Sequence, residues 1–343
     1  MTNPILIKNK CSIEFFPNLT VDAFSHYKNN KIVFFASKKI EEYLNLVVKK
    51  LENNGYDVYV YLTSDGEDNK NLTKATIFTQ YLSHNNIGRN DLIVNVGGGT
   101  VCDLGAFVAS VYMRGIRYIN IPTTLLCAVD ACCGGKTAID VVGEKNLWGT
   151  FYQPERIFID YSLISNLSDK LINEGLSEIV KYAVIDSDFE SFLSSITNLR
   201  ENLNEIVYRC IQIKAKFVEE DEFDNGVRKA LNLGHTVAHA VESHSKYKID
   251  HATAVSFGLL CESKIAKEAG FISDKRFSGI QNLCNNFLKI VNLADYSHLI
   301  AFMKRDKKNK NNKIAFSLPM EKGVQIKYFS EEELNVILKK IGD

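Results

Sequence analysis

Residues 91–113 read DLIVNVGGGTVCDLGAFVASVYM, a pattern typical of a strand, a glycine turn and a helix in an α/β protein. Residues 91–96 have the apolar pattern of a strand buried on both faces, and a helix is predicted to follow the glycines to about Met113. Three glycines between a strand and a helix let the backbone turn sharply, and the helix N-terminus offers free N–H groups to a phosphate. The turn supports nucleotide binding and simple turn geometry about equally, because its spacing is not the GxGxxG of the Rossmann fingerprint.

The alternation of strand and helix extends on both sides of this turn up to about residue 160. Further strands are predicted at 31–36, 58–62 and 118–121, with a helix at 72–82. Beyond residue 165, apolar residues at three-to-four spacing predict helices at 176–186, 200–219, 229–246, 251–269 and 330–341. The pattern predicts an α/β protein: a nucleotide-binding α/β domain with a parallel sheet over residues 1–164, and a mainly helical domain over residues 165–343.

The composition excludes several classes of protein. Among 343 residues, 41 Lys+Arg balance 41 Asp+Glu, which argues against attachment to nucleic acid or an anionic membrane through an overall positive field. The eight cysteines form no CxxC pair, the N-terminus has no hydrophobic signal region, and no apolar run reaches ~18 residues. We therefore expect a cytoplasmic protein whose cysteines are mostly small buried hydrophobic residues.

A histidine cluster is the strongest chemical signal. Four of the seven histidines fall between residues 235 and 251, and His235 and His239 lie four apart on one side of a predicted helix. That spacing can hold a metal ion, although the residue after His235 is not the Glu of an HExxH protease. Candidate ligands are His235, His239, His251 and a carboxylate at Glu178 or Glu242. The spacing leaves open which histidine is a ligand and which moves a proton, and histidines without a metal remain an alternative.

Six runs, in order along the chain, resemble the 3-dehydroquinate synthases of the sugar-phosphate cyclase family. They are GGGTVCDLGAFVASVYMRG (97–115), IPTTLLCAVDACCGGKTAID (121–140), KNLWGTFYQPERIFID (145–160), GLSEIVKYAVI (175–185), RKALNLGHTVAHAVE (228–242) and DKK (306–308). The resemblance implies an NAD-binding first domain, a metal- and substrate-binding second domain, Zn²⁺ or Co²⁺ as the metal, and a homodimer.

The resemblance also implies roles for individual residues. The positions that match NAD-binding residues are Glu67, Lys70, Gly98, Gly99, Asp103, Thr123 and Thr124, with Asp130 and Lys145 nearby. The positions that match metal ligands are Glu178, His235 and His251, which leaves His239 as a contact to substrate. The other positions that match substrate-binding residues are Lys136, Asn146, Lys181, Lys214, Arg228, Asn232 and Lys307 or Lys308. Arg114 matches an arginine that reaches the partner subunit's site.

The activity implied by the resemblance is the conversion of 3-deoxy-D-arabino-heptulosonate 7-phosphate to 3-dehydroquinate and phosphate, a carbon–oxygen lyase reaction of the shikimate pathway. It proceeds through transient oxidation by NAD, phosphate elimination, reduction and aldol closure. Three alternatives are another sugar-phosphate cyclase, of the 2-deoxy-scyllo-inosose or 2-epi-5-epi-valiolone synthase type, a polyol dehydrogenase of similar fold, and a non-catalytic NAD- or metal-binding module. The sequence departs from the family pattern at Cys102, a glycine in the pattern, at Ala131-Cys132, a serine pair, and at Ala252-Thr253, a Gly-Glu pair.

Overall fold

The computed structural model describes residues 3–246, 248–290, 299–304 and 309–342, which divide into two compact units. Unit 1 comprises Met1–Ser168 and Leu203–Phe223, and unit 2 comprises Asp169–Asn202 and Asp224–Asp343. The division into domains at 1–164 and 165–343 stays a prediction. The compact units differ from it in one segment, because residues 203–223 belong to unit 1.

The strands and helices alternate in unit 1, and helices predominate in unit 2. The strands are β1 (Ile5–Ile7), β2 (Cys11–Phe16), β3 (Lys31–Ser37), β4 (Asp57–Thr63), β5 (Leu92–Gly97), β6 (Arg117–Pro122), β7 (Lys136–Val141), β8 (Glu144–Phe151), β9 (Arg156–Asp160), β10 (Ile314–Pro319) and β11 (Val324–Phe329). The helices are α1 (Glu41–Asn53), α2 (Leu72–His84), α3 (Gly99–Val111), α4 (Tyr161–Ser165), α5 (Asp169–Ile185), α6 (Ser187–Ser195), α7 (Leu203–Glu220), α8 (His235–His244), α9 (His251–Glu268), α10 (Asp274–Phe287), α11 (Leu299–Met303) and α12 (Glu331–Gly342).

A seven-stranded sheet in the order β1-β2-β9-β6-β5-β3-β4 forms the centre of unit 1. Its strands pair in parallel except at the β1 edge, where β1 is antiparallel to β2. Alternate residues of β3 face opposite layers: Phe34 packs with Phe24 and Leu51, and Phe35 packs with Phe78. The predicted α/β class and parallel sheet are confirmed by this strand pairing. Both faces of the sheet are covered, as is usual for parallel sheets.

A hairpin of β7 and β8 lies outside the main sheet and carries three of the predicted site residues. Its turn has positive φ at Val142 and Gly143, which matches the twist of the flanking strands. The sequence did not predict this hairpin, because the turn lacks the Asn-Gly or Asp-Gly pair that announces one.

Unit 2 is built around α9, which packs against α5, α8, α10 and the hairpin of β10 and β11. The helix predicted over residues 229–246 is in two pieces: a 3-10 helix at Val227–Asn232, then α8 from His235. The break falls at Gly234, whose φ of 82° is in the left-handed region. It makes His235 the first residue of α8.

Candidate active site

The glycine turn of unit 1 places the start of α3 at the carboxyl end of β5. A Cβ at Gly97 would lie 2.6 Å from the Cβ of Val101, so the strand can enter the helix this closely only with glycine. The carbonyl of Gly97 accepts a hydrogen bond of 2.9 Å from the N–H of Thr123 on the neighbouring segment. Gly98 and Gly99 are half-buried, so the first N–H groups of α3 lie beside a partly open surface where a phosphate can bind.

Lys70 is the centre of a charged group beside this turn. The side chain is buried, and its Nζ lies 2.9 Å from Asp103, 3.4 Å from Glu67 and 2.5 Å from the side-chain oxygen of Asn146. Burial alone would lower the pKa of Lys70, but the charges of Asp103 and Glu67 raise it, so the ammonium stays protonated. Burial raises the pKa of Asp103, and Lys70 opposes that rise. The half-buried carboxylates of this group could accept hydrogen bonds from the hydroxyl groups of a ribose.

A second ion pair of unit 1 joins α7 to the segment after β6. Lys214, on α7, is buried, and its Nζ lies 2.9 Å from the carboxylate and 2.6 Å from the carbonyl oxygen of Asp130. Asp130 is part of a π-helical turn, Cys127–Ala131, that follows Thr124, whose hydroxyl accepts from the N–H of Cys127. Irregular turns of this kind are frequent at functional sites.

The remaining predicted residues of unit 1 lie on more open parts of the surface. On the β7–β8 hairpin, Lys136 and Asn146 are exposed and Lys145 is half-buried. Arg114 is exposed and follows Met113, and both have positive φ, 66° and 49°. Non-glycine residues in this region are uncommon, so two in succession mark a locally constrained turn that holds the arginine outward.

Three possible metal ligands converge in unit 2. Glu178 on α5, His235 on α8 and His251 on α9 each offer an atom, and the three atoms all lie within 4.8 Å of one another. The Nε2 atoms of His235 and His251 lie 3.4 and 3.6 Å from the same carboxylate oxygen, Oε1 of Glu178. Tetrahedral ligands about 2.0–2.1 Å from zinc are themselves about 3.3 Å apart. The group therefore fits a divalent ion with three protein ligands and one open position.

The protonation states of His235 and Glu178 suit metal binding. Nδ1 of His235 lies 3.1 Å from the carbonyl of Leu233, which can only accept, so Nδ1 carries the hydrogen and Nε2 keeps its lone pair. Burial lowers the pKa of His235 to about 4, so the ring is neutral. Burial alone would raise the pKa of Glu178, but Lys181 and His235 hold it well below its ordinary value. The carboxylate is therefore ionised at neutral pH.

His251 is held from both sides by carboxylates. Its Nε2 faces Glu178, and its Nδ1 lies 3.6 Å from Oε1 of Glu242 on α8. Burial alone would lower the pKa of His251, but Glu178 and Glu242 raise it to about 10. A divalent ion would have to displace that proton. Sequence reasoning left Glu242 open as a ligand; the structure places it on the opposite side of His251 from Glu178, seven residues after His235 on the same helix.

The other predicted residues of unit 2 surround this group to different degrees. Lys181 is buried one turn from Glu178 and forms an ion pair with it. His239 is exposed, its ring centroid 5.7 Å from that of His235, and it is not part of the ligand group. Arg228 is buried and Asn232 is half-buried in the 3-10 helix before α8. Lys307 and Lys308 lie outside the described residues.

The cysteines are confirmed as core residues: all eight are free thiols and all are buried. Cys102, which stands where the family pattern has glycine, lies with its sulfur 3.7 Å from that of Cys127. Burial raises the pKa of the Cys132 thiol well above its ordinary value, which keeps it protonated and unreactive. Within the described part of the chain, no helix combines the length and apolar character needed to cross a membrane.

Comparisons with known proteins agree with these features. The family models 3-dehydroquinate synthase N-terminal and 3-dehydroquinate synthase C-terminal match residues 60–174 and 175–309. A 3-dehydroquinate synthase of Alkaliphilus metalliredigens is 35% identical over 319 residues, which are 90% of this chain and 89% of that protein.

Two solved structures share the fold at lower sequence identity. A 2-deoxy-scyllo-inosose synthase complexed with carbaglucose-6-phosphate, NAD⁺ and Co²⁺ has a TM-score of 0.85 at 20% identity, and the match covers 98% of this chain and 99% of the other. A 2-epi-5-epi-valiolone synthase from Streptomyces hygroscopicus with NAD⁺ and Zn²⁺ bound has a TM-score of 0.84 at 18% identity, covering 99% of this chain and 98% of the other. The sequence matches are the more specific finding, and by them the chain belongs to the 3-dehydroquinate synthase family.

Proposed function

We propose that this protein is a 3-dehydroquinate synthase, a carbon–oxygen lyase that converts 3-deoxy-D-arabino-heptulosonate 7-phosphate to 3-dehydroquinate and phosphate. The observation that carries the proposal is the group of Glu178, His235 and His251 with Lys181, in a chain matched over both parts by 3-dehydroquinate synthase models. The related cyclases support the fold, but their substrates are those of proteins about 20% identical to this one.

NAD and a divalent ion, Zn²⁺ or Co²⁺, are the proposed cofactors. When bound, they would supply reversible hydride transfer and polarisation of the substrate oxygen that is oxidised. The N-terminus of α3, Lys70 and Asp103 would hold the nucleotide, since they offer N–H donors, a cation and acceptors. Glu178, His235 and His251 would hold the ion, because each offers one ligand atom and the three atoms lie within 4.8 Å of one another.

The cationic residues of the proposal fit a substrate with a carboxylate and a phosphate. They are Lys136, Lys181, Lys214 and Arg228, with Lys307 outside the described residues. Each would bind an anionic oxygen and fix the substrate's orientation, and the anion in turn keeps each ammonium protonated. A polyol dehydrogenase needs no such set, because its substrate is neutral. We expect His239, which is exposed beside His235, to hydrogen-bond a substrate oxygen and to move a proton.

A product assay tests this function directly. The protein with Zn²⁺ or Co²⁺ and catalytic NAD is incubated with the heptulosonate phosphate, and phosphate release and 3-dehydroquinate are followed together. Equal amounts of both products are expected, without accumulation of NADH. Turnover of glucose 6-phosphate or sedoheptulose 7-phosphate instead would identify another cyclase, and a folded protein that binds NAD but turns over none of them would refute the proposal.

We also propose that the enzyme is a homodimer in which Arg114 reaches the partner's site. The support is the constrained, outward turn at Met113 and Arg114, with Val111 and Met113 about half exposed beside the arginine. Arg114→Ala and Lys181→Ala should each be inactive alone. Mixed after dissociation and reassembly, they should recover activity, because a heterodimer would contain one intact site. No recovery from a confirmed heterodimer would refute the role of Arg114, and a monomer in sedimentation would refute the dimer.

A further inference from the structure

Two of the proposed ligands stand at the first residues of two helices, so helix packing sets the distance between them. His235 begins α8 and His251 begins α9, and the two helices pack directly against each other. The N-cap of α8 is Gly234, which has no side chain to accept a hydrogen bond from the first N–H groups of the helix. Those groups need an acceptor from elsewhere.

Glu262 supplies that acceptor from the neighbouring helix. It lies three turns along α9 from His251 and is fully buried. Its Oε2 accepts from the N–H of Gly234 at 2.7 Å, and its Oε1 accepts from the N–H of Val237 at 3.1 Å. One carboxylate of α9 therefore caps α8 on both sides of His235, with an anion at the positive end of the helix dipole.

Beside Glu262, the backbones of α8 and α9 approach each other very closely. A Cβ at Gly258, one turn earlier on α9, would lie 1.9 Å from the carbonyl oxygen of Gly234 and 3.2 Å from the nitrogen of Ala238. The two helices therefore meet backbone to backbone at the residue before His235. Contact alone permits sliding and rotation, whereas the two hydrogen bonds from Glu262 define one register of α8 on α9.

We infer that Glu262 is a positioning residue of the metal centre: it holds α8 on α9 so that His235 and His251 present their Nε2 atoms to one ion. Glu262 acts on His235 through the start of α8, where it accepts hydrogen bonds from the N–H groups of Gly234 and Val237. The inference rests on the proposed function for the identity of the ligands, but it concerns metal affinity, which is measured without substrate.

Glu262→Gln tests the inference, because the amide keeps the size but faces one backbone N–H with an NH₂ group. The dissociation constants of Zn²⁺ and Co²⁺, measured by chelator competition, are expected to rise about 10–100-fold. The visible spectrum of bound Co²⁺ should change, since the ligands no longer meet at one geometry. Far-UV circular dichroism should remain that of the wild type.

Glu190→Gln is the matched control in the same unit. It breaks the ion pair of Glu190 with Arg276, at 2.7 and 2.8 Å, and should lower the melting temperature without changing the affinity for either ion. A folded Glu262→Gln protein with wild-type affinity and Co²⁺ spectrum would overturn the inference. If this variant does not fold, Glu262→Asp keeps both acceptors on a shorter arm, and wild-type affinity there would overturn it as well. If the wild-type protein binds either ion but has no synthase activity, only the proposed function is refuted.

Discussion

The buried lysines of the two units are paired with carboxylates that differ in exposure. In unit 1, Lys70 and Lys214 are buried, but their partners Asp103 and Asp130 keep about a quarter of their side chains exposed, 24% and 26%. In unit 2, Lys181 and Glu178 are both closed off, at 2% and 1%, and the carboxylate also faces two imidazoles. A half-open pair can recruit water when one partner is lost, whereas a closed group leaves a buried charge. Removing one partner of the ion pair should therefore destabilise the protein more in unit 2 than in unit 1.

Glu178→Gln is expected to have the largest effect, because it removes a proposed ligand and the counter-charge of Lys181 together. We expect the free energy of unfolding to fall by about 3–5 kcal/mol, as when one partner of a buried pair is deleted. Metal binding and phosphate release should be lost. Urea unfolding, metal content and the product assay measure the three results. Asp103→Asn, the counterpart in unit 1, should cost only about 1–2 kcal/mol, and equal losses would contradict the comparison.

The two histidines of unit 2 that differ in exposure should separate metal binding from turnover. His251→Ala removes a member of the ligand group, so dialysed protein should contain little Zn²⁺. His239→Ala should keep its metal but lose about 10²–10⁴-fold in turnover, the usual contribution of a positioned acid or base. Metal analysis and steady-state kinetics on the same preparations provide the measurement. If both variants retain full metal, the proposed ligand set is wrong.

Lys70→Met tests whether unit 1 acts separately from the metal group. The change keeps a long apolar stem but leaves Asp103 and Glu67 without their shared cation, so NAD should bind about tenfold more weakly, or about 1.4 kcal/mol. Zn²⁺ affinity should stay the same. Fluorescence titration with NADH and chelator competition measure these two quantities. Lys39→Met, an exposed lysine of unit 1 paired with Asp65, is the control and should change neither; a loss of metal affinity in Lys70→Met would contradict the separation.

The sequence predicts the parallel strands of unit 1 well, but it predicts the metal group of unit 2 only in part. The parallel strands β3 to β6 follow from their buried apolar runs. The histidine cluster predicts a metal site, but of the two histidines spaced four apart, His235 and His239, only His235 belongs to the ligand group. Spacing alone could not separate Glu178 from Glu242, because that choice depends on which side of His251 each carboxylate faces. Glu262 could not be found this way, since one acid within an apolar helix resembles a surface position until its partners on α8 are known.

In unit 1, the sequence identifies the glycine turn but not the residues that surround it. The glycine turn is evident in the sequence, but the residues around it come from segments far apart along the chain. Lys214 reaches Asp130 across 84 residues because α7 belongs to unit 1, and an amphipathic helix gives no sign of which unit covers its apolar face. The β7–β8 hairpin, which brings Asn146 to Lys70, lacks a recognisable turn signal.

Another long-range contact of unit 1 is centred on Glu222, and its loss should have a small, pH-dependent effect on stability. The Nζ of Lys10 lies 3.0 Å from Glu222, and Gln153 donates to the other carboxylate oxygen at 3.3 Å. Burial alone would raise the pKa of Glu222, but these hydrogen bonds hold it below its ordinary value. A carboxyl group with a lower pKa in the folded state stabilises the protein above its unfolded pKa of about 4.3, and this contribution is lost as pH falls through the folded value.

Glu222→Gln should therefore lower the melting temperature at pH 7 by about 2 °C, the scale of a loss near 1 kcal/mol in a protein of this size, and by less as the pH falls. The wild-type and variant curves of melting temperature against pH should converge only once the pH has fallen through the lowered pKa of folded Glu222, because the carboxyl group is then protonated in both the folded and unfolded wild-type protein. Glu205→Gln, which breaks the more exposed pair with Arg209 on α7, is the control and should cost less at every pH. A constant gap between the Glu222 curves would mean that packing, and not charge, joins these segments.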